Sequence, residues 1–281
     1  MYFDIKRKRV IQIYKDSVLL DTWMKGGSDD YSCSKHPDGF LIFVEPHELE
    51  SFNEYKEGDP YGVSKNINSK FQNRRFQTTI QLLKSTEPNP NLKILDLGCG
   101  EGHLTDGIRD TFPSSEIHGL DYSIDAIKIA HSRYKNINFI VADGYKPPYT
   151  DEYFDIVVLN NIWEHVPDPL QMLNGIKRIL KKNGIIVIST PSRYRFSNLI
   201  RVLLGKKVEF MSKLHVTEYS VGQVVEQLTF GGFNISKVHS ESIRENRLIV
   251  HLLKKSFSVF AKLMGSHHIF ESTVFYLASK K

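Results

Sequence analysis

Leu95-Asp96-Leu97-Gly98-Cys99-Gly100-Glu101-Gly102 is the stretch that decides the fold. Residues 93–97 read as a short buried strand, and the turn after them carries glycine at three alternate positions. Glycine lets the backbone take positive φ and come close to a ligand. From residue 103 to 111 the apolar spacing becomes helical. Strand, glycine turn and helix in that order form the first unit of a doubly wound α/β sheet. Such sheets bind ligands outside the C-terminal ends of the strands, beside a topological switch point.

The units downstream repeat the alternation. Strands are expected at 116–120, 137–142, 154–159, 185–189, 233–239 and 273–278. Helices are expected at 123–134, 169–180 and 220–230, the second closed by Gly184 as a left-handed cap and the third by Gly231-Gly232. Continuous apolar strands between amphipathic helices imply a mostly parallel sheet covered on both faces.

The first three strands end in acids. Asp96 lies two residues before Gly98, the second strand ends in Gly119-Leu120-Asp121, and the third in Ala142-Asp143-Gly144. Asp121 can accept from both hydroxyls of a ribose, and Asp143 from an exocyclic adenine amine. Two acids beside a phosphate would repel it, so this set suits a nucleoside without phosphates. A dinucleotide turn spaces its glycines G-x-G-x-x-G. Here they fall at 98, 100 and 102, and His103 stands where the third would be.

With these residues, the stretch from about 92 to 191 resembles the class I S-adenosylmethionine-dependent methyltransferases. The resemblance implies a Rossmann-like sheet of seven strands, the last antiparallel. It implies that Gly98, Cys99 and Gly100 line the methionine end of S-adenosyl-L-methionine, with Asp96 near its amino group. It implies that Asp121, with Tyr122 beside it, holds the ribose, and that Asp143 and the backbone of Gly144 read the adenine. S-adenosyl-L-homocysteine would be the product. The run Glu164-His165-Val166-Pro167-Asp168-Pro169 is similar to the ubiquinone-biosynthesis O-methyltransferase branch, in which Asn160 would face the methionine part. Relatives proposed to use a divalent metal carry an acid where Asn161 stands, so no metal is expected.

Methyl transfer to a hydroxyl needs a base, and histidine suits that task near neutral pH. His165 is one candidate, or else a residue that bonds the backbone at a helix start. His215, within Lys213-Leu214-His215-Val216-Thr217-Glu218-Tyr219, is the other, or else a helix-capping or surface residue. Arg74 and Arg75 lie on a helix expected from about residue 69. One of them, Arg75 in the first instance, would pair with the cofactor carboxylate, or else both are surface charges. Tyr194, Arg195 and Phe196 follow the fifth strand, where acceptor pockets are often built.

The remainder divides by texture. Residues 1–63 read as an N-terminal appendage of unknown fold, with a hairpin over 8–20 and a strand over 40–44. Residues 64–281 form the methyltransferase domain, with a lid or insertion at 193–217, irregular and basic, and another at 247–268. Residues 248–264 form an amphipathic helix that can pack on the core, on a partner subunit or on a membrane surface. The basic run Lys6-Arg7-Lys8-Arg9 reads as a solvated strand end or an anion contact.

A hydrophobic content of 41% with 25% charged residues suits a globular domain with a sizeable core. Two cysteines, Cys33 and Cys99, exclude a disulfide framework and a four-cysteine zinc site, which points to a reducing compartment. No segment reaches the ~18 apolar residues of a membrane span, and no secretory signal opens the sequence. A cytoplasmic protein is expected. A net charge of +5, spread along the chain, argues against a nucleic-acid partner and leaves peripheral membrane contact and a homodimer open. The function expected is methyl transfer, chiefly O-methylation, to a small-molecule, sugar or glycan, or lipid-precursor acceptor. The alternatives are an NAD- or nucleotide-sugar-dependent enzyme and a non-catalytic cofactor-binding subunit.

Overall fold

A computed structural model of the 281-residue chain describes residues 2–4, 9–11, 33–44, 70–86, 90–240, 248–265 and 269–281. In chain order the elements are β1 (Tyr2–Asp4), β2 (Arg9–Ile11), β3 (Ser34–Lys35), β4 (Leu41–Ile42), α1 (Lys70–Lys84), β5 (Lys93–Leu97), α2 (His103–Thr111), β6 (Glu116–Asp121), α3 (Ile124–Arg133), β7 (Asn138–Val141) and β8 (Phe154–Asn160). A 3₁₀ turn (Trp163–His165) precedes α4 (Pro169–Ile179), β9 (Leu180–Pro191), α5 (Phe196–Leu203), α6 (Val221–Phe230), β10 (Phe233–Ser240), α7 (Leu248–Leu263) and β11 (Thr273–Lys280).

Nine strands form one sheet in the order β10-β11-β9-β8-β5-β6-β7-β4-β3. β5 pairs in parallel with β6 and β8, β6 with β7, and β8 with β9, while β11 runs antiparallel between β9 and β10. The seven expected strands are therefore present, with the last one reversed. The chain crosses from β5 to β6 on one side and to β8 on the other, so the switch point lies at the end of β5, where the glycine turn stands.

Alternation along the strands explains the two covered faces. Leu95, Leu97, Val157 and Leu159 join one buried cluster with Trp163, Met172 and Leu173, whereas Ile94, Ile156 and Val158 join the other with Ile108, Ile127 and Phe139. Helix starts follow local chemistry. Ser123 accepts from the Ala126 amide at α3, and Asp168 accepts from the Gln171 amide before Pro169 opens α4. A reciprocal capping box of Ser220 and Gln223 opens α6.

The structure corrects four details. The left-handed residue after α4 is Asn183, at φ 63, rather than Gly184; asparagine tolerates that region because its short side chain bonds locally. Segment 193–217 is not irregular throughout. It contains α5, whose spacing of Phe196, Leu199, Ile200 and Leu203 is helical. β2 pairs back onto β1 (Phe3↔Val10), so the N-terminal hairpin closes upstream of the expected one, whose second half lies outside the described residues. Part of the expected appendage is built into the main sheet: β4 lies parallel to β7 (Leu41↔Ile140), and Phe40, Ile42 and Val44 are buried in the second core cluster. Of the basic run, Lys6 to Lys8 also lie outside the described residues.

Candidate cofactor and acceptor site

The glycine turn folds back over the end of β6. The amides of Gly98 and Cys99 both donate to the Leu120 carbonyl, at 2.7 and 3.0 Å. Gly98 stands at φ 77, and a Cβ there would lie 2.4 Å from Cδ1 of Ile162. Gly102 caps α2 at φ 82, and a Cβ there would lie 2.9 Å from Cζ of Phe139. The turn is thus limited to glycine by both conformation and space. Cys99 contributes its backbone only, because its thiol is buried among the apolar residues of the second cluster. Burial, with the charges of Asp121 and Asp96, pushes that thiol well above its ordinary range.

The three acids stand in a row on neighbouring strand ends. Asp96 is fully buried. Its Oδ2 accepts from Thr105 Oγ1 at 2.7 Å, while Oδ1 has no hydrogen-bond partner. Burial raises its pKa to about 7, the Thr105 bond opposing and the Asp121 charge adding to the rise. Asp121 accepts from the Gly100 amide at 2.8 Å and the Ser123 amide at 2.9 Å. Asp143 accepts from the Tyr145 amide at 2.8 Å, and Gly144 follows it. Tyr122 is half-buried against the second cluster.

At the end of β8, Ser189 of β9 donates to the side-chain oxygens of both Asn160 and Asn161. Asn161 takes φ 57, so the chain reverses sharply into the 3₁₀ turn. That turn brings the two candidate histidines together. Their rings meet edge to face with centroids 5.0 Å apart. His165 Nδ1 lies 3.1 Å from the Leu214 carbonyl and donates to it, so one of its nitrogens is occupied by backbone. His215 is neither a cap nor a surface residue. Its side chain is 8% exposed, Nδ1 lies 2.9 Å from Glu218 Oε1, and Nε2 lies 4.0 Å from Glu164 Oε1.

Sequence reasoning gave no role to two residues that organise this corner, Glu164 and Glu218, and placed Arg195 only among candidate acceptor-pocket residues. Glu164 is buried; Oε2 accepts from Thr190 Oγ1 at 3.0 Å, and its main-chain carbonyl accepts from the amides of Val216 and Thr217. Burial raises its pKa, opposed by hydrogen bonding and by the charges of His215 and Arg75. Glu218 accepts from His215, from the Met211 amide and from Arg195. Burial works to raise its pKa, but those bonds outweigh it and hold the group below its ordinary value. Arg195 also donates to the carbonyls of Ser192 and Glu209, pinning segment 193–217 to the core. An acid three residues after a histidine was the available signal for Glu218.

On α1, Arg74 is exposed and Arg75 is turned inward. Burial lowers the Arg75 pKa to about 10, with the Glu164 charge opposing. Arg75 therefore belongs to the same electrostatic neighbourhood as the histidine corner. Carboxylate and ring-nitrogen atoms of Glu164, His165 and His215 lie within 4.8 Å of one another, a donor set with the chemistry to hold a divalent metal.

These features fit S-adenosylmethionine. The orphaned Oδ1 of Asp96 has an acceptor to offer an ammonium, and the carboxylates of Asp121 and Asp143 stand at the two neighbouring strand ends.

Comparison with known proteins points the same way. The profile of the methyltransferase domain family matches residues 88–246. A Mycolicibacterium smegmatis protein named as a probable S-adenosylmethionine-dependent methyltransferase is 28% identical over 142 residues, which span 50% of this chain and 52% of that protein. The chain thus matches about half the length of that relative. The ubiquinone biosynthesis O-methyltransferase of Hydrogenovibrio crunogenus is 28% identical over 176 residues, 59% of this chain and 68% of its own length. The crystal structure of a SAM-dependent methyltransferase from Aquifex aeolicus superposes with a TM-score of 0.52 at 13% identity, covering 85% of this chain and all of that one. At that identity the likeness is one of fold.

Proposed function

This chain belongs to the methyltransferase domain family, and from that premise we propose that it transfers the methyl group of S-adenosylmethionine to a hydroxyl of a small-molecule, sugar or lipid-precursor acceptor. The observation that supports the acceptor chemistry is the buried His215 ring, with Nδ1 bonded to Glu218 and Nε2 4.0 Å from Glu164 Oε1. Bound S-adenosylmethionine supplies a methyl group on a cationic sulfur, so the protein needs no nucleophile of its own and works by alignment and proton management.

Each residue then has a task. Asp96 Oδ1 accepts from the cofactor ammonium, and Arg75 pairs with the cofactor carboxylate. The backbone of Gly98, Cys99 and Gly100 runs along the methionine end, with Asn160 opposite. Asp121 holds the ribose diol and Tyr122 flanks it, while Asp143 and the Gly144 amide read the adenine. Glu218 fixes the proton of His215 on Nδ1, leaving Nε2 as the base. Nε2 of His215 would take the proton that the acceptor hydroxyl gives up on methylation, so the positive charge lost by the methyl donor would be carried by the imidazolium.

Thermal shift with S-adenosylhomocysteine and with NAD tests the cofactor, followed by incubation with labelled S-adenosylmethionine and fractionated cell extract. Stabilisation by S-adenosylhomocysteine and label on an alkali-stable ether support the reading. Stabilisation by NAD alone, or label on nitrogen or carbon, overturns it.

A further inference from the structure

Two helices of this chain are turned inside out. α7 buries Lys254, 6% exposed and paired with Glu271, together with Ala261. On the same helix Leu252, Leu253, Val259, Phe260 and Leu263, with Met264 just after it, stand 51–81% exposed. At ~100° per residue those six fall in one sector of the helical wheel, opposite Lys254 and Ala261, with Lys255 and Lys262 together on one flank. α5 has the same character: Asn198 is its buried residue, while Ile200, Val202, Leu203 and the following Leu204 are exposed, Leu203 at 74%. The two helices touch, with Phe196 of α5 and Phe257 of α7 5.9 Å between ring centroids and Phe257 against Phe270.

We propose that α5 and α7 form a docking surface for an anionic phospholipid bilayer, on which the protein lies with both helices at the interface. Exposed apolar patches rimmed by polar residues mark interaction sites, and helices with a lysine-flanked apolar face lie in the membrane plane. The charge identifies the occupant. Of the nine lysines and arginines in segments 193–217 and 248–264, Arg195, Arg201 and Lys254 are paired with Glu218, Glu209 and Glu271, so the basic charge of the surface rests on the other six, Arg193, Lys206, Lys207, Lys213, Lys255 and Lys262. A second copy of the chain, docking through the same face, would bring two basic rims together, which opposes self-association. An anionic surface complements them. None of the described helices is long and apolar enough to cross a bilayer, so the contact is peripheral.

Flotation of the full chain with phosphatidylcholine vesicles, with and without phosphatidylglycerol, tests the surface. The expected result is flotation with the anionic vesicles that weakens as salt rises. Phe260→Glu with Leu263→Glu, and separately Lys255→Glu with Lys262→Glu, should each lower the bound fraction about tenfold. These side chains are exposed, so thermal unfolding midpoints should stay at the wild-type value and show the variants folded. Absence of flotation, or equal flotation of wild type and both variants, overturns the proposal. So does light scattering that finds a dimer in the wild type and a monomer in Phe260→Glu/Leu263→Glu, without vesicle binding, since the face would then belong to a second copy.

Discussion

His215 Nδ1 and Glu218 Oε1 lie 2.9 Å apart, and the same carboxylate is bonded by Arg195 and the Met211 amide. A carboxylate with three donors stays ionised and holds the imidazole in one tautomer and one orientation. His215→Ala should lower single-turnover rates by about a hundredfold or more with little change in S-adenosylhomocysteine affinity. Glu218→Gln can still accept from Nδ1, and should cost about tenfold in kcat with KM for the acceptor nearly unchanged. Single-turnover rates that stay at the wild-type value in His215→Ala would remove the histidine from the chemistry.

Asp96 makes a prediction about protons. Its folded pKa, about 7, lies above the ordinary value of 3.8. Between those pH values the folded state holds more protons than the unfolded one, so stability falls as pH rises through that window. The loss is of order 4 kcal/mol, since each unit is worth ~1.4 kcal/mol. Asp96→Asn should flatten the pH dependence of chemical denaturation between about pH 4 and pH 7, the window set by that shift. A bound ammonium beside Oδ1 lowers the pKa again. Calorimetry of S-adenosylhomocysteine binding near neutral pH, in buffers of different ionisation enthalpy, should therefore detect proton release in the wild type and none in Asp96→Asn.

The glycine turn and the row of acids at the strand ends were legible because they are local. Gly98, Asp121 and Asp143 stand at the ends of consecutive strands, and parallel register carries them to one edge without help from the rest of the chain. The histidine corner is assembled from distance. Glu164 and His215 are 51 residues apart in sequence, and only the lid, pinned by Arg195 to Glu218, sets them 4.0 Å from one another. Apolar periodicity placed α7 but could not say which face it buries, because Lys254 finds its partner in Glu271 beyond the helix. Of the β3–β4 hairpin, a strand was expected over 40–44, where β4 lies, but β3 and the place of the pair in the sheet were not legible. Two-residue strands carry no period, and their place is set by pairing with β7.

Arg75 offers a test of the cofactor carboxylate. Its guanidinium is turned inward where Arg74 is not, and burial lowers its pKa, the charge of Glu164 opposing. An arginine paired with a carboxylate is worth more than a lysine at the same place, since the fork bonds both oxygens. Arg75→Ala should raise the Kd for S-adenosylhomocysteine by about ten- to a hundredfold, or ~1.5–3 kcal/mol, and Arg75→Lys by less. Arg74→Ala should leave it unchanged. Calorimetry checks all three, and equal affinity across the set would return Arg75 to a structural partnership with Glu164.

The cluster of Glu164, His165 and His215 can be asked directly whether it is a base or a metal centre. The donor atoms lie within 4.8 Å of one another, and each histidine has its other nitrogen oriented, His215 by Glu218 and His165 by the Leu214 carbonyl. That second layer is also what metal-binding histidines have. If His215 Nε2 accepts the acceptor's proton, a zinc ion in the cluster takes away the base. Turnover of the purified protein should then be indifferent to chelators, and added zinc should inhibit in competition with the acceptor rather than with S-adenosylmethionine. His165→Ala removes one ligand while sparing Nε2 of His215, so it should relieve zinc inhibition about tenfold or more while retaining most of the uninhibited rate. Loss of turnover on chelation, restored by one divalent ion, would reverse the assignment: the histidines would be ligands, and the acceptor's proton would leave by way of the metal.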